Sequence, residues 1–86
     1  MAEPRPRLFR VTIRLRDGSR RSRIVKAPYY ERDPLTSLYG LQAQLASLLL
    51  DGTITRWSVS VPETIGPRQR ERLVRWPTAL PEMLAA

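Results

Sequence analysis

Histidine and cysteine are absent from this 86-residue chain. The first absence removes the commonest general base. The second removes thiol nucleophiles and disulfides, and together they exclude most zinc sites. Four scattered glycines form no phosphate-cradling loop. Apolar runs such as Leu48–Leu50 are short, far below the roughly 20 residues a membrane span requires. Met1–Arg10 alternates proline, arginine and single apolar residues, without the apolar stretch of a signal peptide. A cysteine-free chain of this size fits a reducing compartment, and the expectation is one small soluble domain with a marginal core.

Lysine is also scarce, with a single Lys26 among 15 basic residues. High-GC coding favours arginine, so the identity of the basic residues says less than their distribution. Arg5, Arg7, Arg10, Arg14, Arg16, Arg20, Arg21, Arg23 and Lys26 face only Glu3 and Asp17, so residues 1–26 carry the whole net charge of +7. In residues 27–86 the charges cancel. A balanced body with a cationic end is suited to an anionic partner.

The same cationic end alternates. Phe9, Val11, Ile13 and Leu15 occupy one face and Arg10, Thr12, Arg14 and Arg16 the other, the period of a half-buried strand. Asp17-Gly18 then predicts a tight hairpin turn in which both residues tolerate positive φ. A second strand follows over Ser19–Ala27 and stops at Pro28. Past the loop Pro28–Pro34, Asp33 caps a helix with Pro34 in its first turn. Leu38, Leu41, Leu45, Leu48 and Leu49 form its buried stripe, and Asp51-Gly52 ends it. Thr53–Val61 reads as a third strand and Pro67–Trp76 as a short second helix. The expected fold is α+β: a ββαβ three-stranded sheet in order 2-1-3, one long helix packed on one face, and a short C-terminal helix. Residues 1–76 form the domain and residues 77–86 a tail. The other sheet face is expected to be open, bearing Arg10, Thr12, Arg14, Arg16, Arg56, Ser58 and Ser60.

Chemistry on this framework is confined to carboxylates and arginines. Glu31 and Asp33, with Asp17 or Asp51, could hold Mg²⁺. Yet Asp33 stands at a helix cap, Asp17 and Asp51 precede turn glycines, and Glu31 is a solvated loop charge. No catalytic residue, metal or cofactor is expected, and the protein is read as not an enzyme. Binding is assigned to Arg10, Thr12, Arg14, Arg16, Arg20, Arg21, Arg23, Lys26 and Arg56, on a ribbon whose like-facing residues recur about every 7 Å. Tyr29, Tyr30, Arg72, Arg75 and Trp76 are candidate interface residues, the tyrosines for stacking on a base and Trp76 beside arginine as an anchor.

In general character the chain resembles the small accessory proteins of bacterial phages and mobile elements: short, cysteine-free, with one hairpin, one helix and no catalytic signature. The resemblance implies action by binding in the cytoplasm of a bacterial host, and it assigns no residue roles. Two partners follow. One is nucleic acid, held by the Arg-rich hairpin. The other is an acidic surface of a host or defence complex (polymerase, nuclease or CRISPR effector) inhibited by protein contact. No membrane partner is expected. A homodimer is expected to form either by pairing sheet edges or by burying Trp76 and Leu80 across an axis.

Overall fold

The computed structural model describes residues 6–28, 32 and 35–85. The alternating segment forms β1 (Pro6–Leu15), which pairs antiparallel with β2 (Arg20–Pro28). After helix α1 (Leu38–Leu50) the chain returns as β3 (Ile54–Ser60), antiparallel to β1. A five-residue helix α2 (Pro67–Glu71) leads to β4 (Val74–Arg75), parallel to β2, and α3 (Ala79–Leu84) closes the chain. The sheet order is β3-β1-β2-β4. The α+β class is therefore as expected, and the sheet has a fourth strand beyond the 2-1-3 arrangement. None of the helices among the described residues is long and apolar enough to cross a membrane.

The hairpin differs from the expected two-residue turn. Gly18 N–H bonds the Leu15 carbonyl at 3.0 Å and Leu15 N–H bonds the Ser19 carbonyl at 2.8 Å, so the loop is Arg16-Asp17-Gly18. Only Gly18, at φ +91°, takes the left-handed conformation. This is a three-residue loop, a turn followed by a glycine in the left-handed region. Asp17 serves it through its side chain, whose Oδ1 accepts from the Ser19 N–H at 2.8 Å and the Ser19 hydroxyl at 2.6 Å.

Asp51-Gly52-Thr53 repeats the device after α1. Gly52 sits at φ +82° and Asp51 Oδ1 accepts from Thr53 N–H at 2.8 Å. In both turns the bonds from residue i+2 hold the aspartate carboxyl below its ordinary pKa. A folded-state pKa below the unfolded one stabilises the fold above the unfolded value, near pH 4, and that contribution disappears as pH falls through the folded pKa. Thermal midpoints should thus be flat from neutrality to about pH 5 and fall below about pH 4. The double variant Asp17→Asn, Asp51→Asn should show a shallower acid slope; equal slopes would exclude these turns as its source.

Helix α1 starts later than expected. Its cap is Ser37, whose Oγ accepts from Gly40 N–H at 3.1 Å. Asp33 and Pro34, the expected cap and first residue, lie outside the described residues. Leu38, Leu41 and Leu45 are buried against Phe9, Val11, Ile13, Val25 and Ile54. Leu48 packs on the margin of this core, and Leu49, expected on the stripe, is 42% exposed.

Residues 67–76 are not one helix. Leu73 and Trp76, three apart, would share one side of a helix, but Val74 and Trp76 flank exposed Arg75 with the two-residue period of a strand. Val74 pairs with Val25 on the free edge of β2, and Trp76 N–H bonds the Lys26 carbonyl at 2.9 Å. Within the segment expected to be a tail, residues 79–84 form α3. Ala79 and Met83, four apart, enter the core from α3, with Leu80 and Leu84 packed beside them, and Glu82 pairs with Arg23.

Candidate nucleic-acid interface

Pairing register decides which polar residues share the sheet face away from α1. Arg14 stands opposite Arg20 on β2 and Arg56 on β3. Thr12 stands opposite Ser22 and Ser58, and Arg10 opposite Ile24 and Ser60. The face is thus built in rows, an arginine row above a hydroxyl row. Thr12 Oγ1 and Ser22 Oγ are 3.1 Å apart and hydrogen-bonded.

A bulge brings Arg56 into the row. Leu15 pairs with Ile54 but Arg14 pairs with Arg56, so Thr55 is an extra residue in β3. Without it, Ile54 and Arg56, two apart, would share a face. With it, Ile54 is buried in the core and Arg56 is exposed beside Arg14. Thr55 Oγ1 donates to the Arg14 carbonyl at 3.4 Å and bridges the irregularity.

Arg14, Arg20 and Arg56 are all exposed, and no carboxylate among the described residues pairs with them. With Thr12 and Ser58 they line a shallow concavity of about 270 Å³. Neighbouring strands run roughly 4.8 Å apart, so three guanidinium groups, each a fork of five donors, project from one row beside hydroxyl donors. Such a surface can receive the oxygens of one or more phosphate groups.

The rest of the face is not open. β3 and β4 occupy opposite sheet edges, so residues 61–73 must cross from one to the other. They do so over the end of the face nearest Leu8 and Ile24. Ile24 belongs to the open-face row by register and is nevertheless only 6% exposed. Gln69 and Arg72 line a second concavity with Arg10, Ser22, Arg23 and Ile24. Leu8 lies with Val61, Pro62, Ile65 and Arg70 around a third.

The sequence-predicted site residues therefore separate. Arg14, Arg20, Arg56 and Thr12 come together, and Arg10 stands at the border of the crossing segment beside Arg72. Arg16 is an exposed loop residue beyond the end of β1. Arg21 pairs with Ile13 and belongs to the row on the helix side. Arg23 pairs with Glu82 and donates to the Arg72 carbonyl at 3.4 Å, which ties β2 to α3 and the preceding loop. Lys26 stands beside Arg75 at the β4 edge. Trp76 is no surface anchor: it is 1% exposed and its Nε1–H donates to Gln44 Oε1 at 2.6 Å. Burial across a dimer axis is thereby closed to it. Tyr29, Tyr30, Glu31 and Asp33 lie outside the described residues.

Sequence reasoning missed Ser22 as a member of the hydroxyl row and Thr55 as the residue that places Arg56. For Ser22 the signal was the hairpin register, counted outward from a three-residue loop. Comparison with protein-family models, with curated proteins and with solved structures finds no match to this chain.

Proposed function

We propose that this protein is a non-enzymatic accessory protein that binds the phosphate backbone of nucleic acid through the row Arg20–Arg14–Arg56. The observation that carries this reading is the uncompensated like charge. Like charges directly opposite each other on neighbouring strands are destabilising, on a scale of roughly 0.2–1 kcal/mol per pair. Arg14 faces two of them. A face whose only task was solvation would tolerate serine or threonine there, as the adjacent row does.

The reading has a two-sided signature. Arg14→Thr should raise stability by about 0.5–1 kcal/mol in denaturant titration and weaken binding to a fluorescent oligonucleotide about tenfold at about 0.1 M salt. For three neutralised phosphates, log affinity against log salt should have a slope near −2 on single strands and about −3 on duplex. Unchanged affinity in Arg14→Thr would reject the assignment.

A second reading is a phage or mobile-element protein that inhibits a host or defence complex. It is favoured by the outer edge of β3, which pairs with no strand among the described residues and could accept an added strand. Retention of a defined host protein, without salt-steep oligonucleotide binding, would select it.

A further inference from the structure

The chain is uncharged from Leu35 to Leu50, although charged residues make up 27% of the whole. This stretch is α1 and its lead-in turn. One side of α1 is buried by Leu38, Leu41 and Leu45. The side away from the sheet is apolar too: Tyr39 is 56% exposed, Leu50 is 89% exposed, and Leu35, one turn before Tyr39, is 55% exposed. Tyr39, Ala43, Ala46 and Leu50 follow one another at intervals of four, three and four, which places them on one stripe. A helix that is apolar on both sides is ordinarily covered on both sides.

We propose that a second copy of this chain covers the stripe, the two α1 helices lying antiparallel about a two-fold axis at the level of Gln44 and Leu45. The intervals read the same in both directions. Tyr39 of one copy then meets Leu50 of the other, and Ala43 meets Ala46, as an isologous contact requires. The alanines at the centre let the helix axes approach to about 8 Å. Charge directs a second copy to this same face. Each copy carries +7, so two copies approach best on an uncharged face. A lipid surface would call for cations flanking the stripe, and α1 has none.

A 13-residue helix is about 20 Å long, so the strip buries on the order of 400 Å² per copy, half of a standard interface. The dimer is therefore weak and must overcome mutual repulsion. Salt screens that repulsion, so dimerisation strengthens with salt, opposite to phosphate binding. Since α1 and the arginine row lie on opposite sides of the sheet, the pair directs its two rows apart, suited to bridging two strands; only this last consequence rests on the nucleic-acid reading.

Sedimentation equilibrium of nuclease-treated protein, from low micromolar to near millimolar, tests the pairing without any ligand. The mass should rise toward twice that of the chain, at lower concentration in high salt than in low. Leu50→Lys and Ala43→Lys change exposed positions and should keep the far-ultraviolet circular dichroism of the parent while weakening dimerisation at least about tenfold. Because the chain has no cysteine, Ala43→Cys mixed with Ala46→Cys should form more disulfide-linked dimer than either variant alone. A monomer throughout, or a dimer indifferent to Leu50→Lys and disrupted by changes along the β3 edge, overturns the proposal.

Discussion

Trp76→Ala should cost about 3–5 kcal/mol, the range for truncating a buried aromatic. A domain of this length has roughly 4–13 kcal/mol in total, at about 0.05–0.15 kcal/mol per residue. The variant is thus expected to lose between about a quarter and all of that stability. The position explains the size of the effect. Trp76 is the largest fully buried side chain, and it joins three parts of the fold. Its backbone N–H extends the β4 contact to Lys26, its indole N–H reaches Gln44 on α1, and its ring belongs to the cluster that receives Ala79 and Met83 of α3. Trp76→Phe keeps most of the ring and loses the hydrogen bond, so it should cost about 1–2 kcal/mol. Trp57 remains as the fluorescent reporter in both variants. Urea unfolding measured by its emission and by circular dichroism would give the midpoints. A Trp76→Ala protein within about 1 kcal/mol of the parent would show that residues 74–84 lie outside the cooperative core.

That C-terminal segment is where the sequence was least legible. The alternation of β1 and the leucines of α1 are long patterns carried by local periodicity, and both elements form there, although α1 is capped at Ser37 and leaves Leu49 off its buried stripe. Residues 67–84 combine short elements. A two-residue strand has almost no period of its own, and β4 exists because the edge of β2 offers Val25 and Lys26 as partners to Val74 and Arg75. Pro81 lies within the first turn of α3, where a missing N–H costs little, so a proline there does not prevent a helix.

The site was legible in part for a different reason. Which arginines flank Arg14 depends on one residue in the hairpin loop. A two-residue loop Asp17-Gly18 would set Arg14 opposite Arg21 and Thr12 opposite Arg23. The three-residue loop sets them opposite Arg20 and Ser22. A slip of one exchanges every β2 side chain between the faces. Burial of Val25 and Ala27 against the core selects the observed register, and Arg21 and Arg23 consequently leave the open face. Arg56 reaches its place through a bulge, which alternation alone does not reveal. The confinement of the net charge to the first 26 residues thus located the strand at the centre of the row, while its membership depended on register.

Replacing Arg14, Arg20 and Arg56 together by serine is the substitution expected to affect binding most. At about 0.1 M salt each phosphate neutralised on duplex contributes close to one log unit through counterion release, so losing three should weaken binding by 10²–10³-fold and bring the salt slope near zero. Stability should not fall, because two like-charge pairs are removed and the core residues behind the row, Val11, Ile13 and Ile54, are untouched. The comparison that gives this result meaning is a variant of equal net charge. Arg32, Arg68 and Arg75 are exposed and lie outside the row; serine at these three also lowers the net charge from +7 to +4. If the row is the binding element, this control keeps most of the affinity and most of the salt slope. If both variants lose affinity equally, binding follows the total charge of the chain and the row has no special part in it. Anisotropy titrations of the two variants at matched salt decide between these outcomes, with unfolding curves on the same samples to show that the fold is retained.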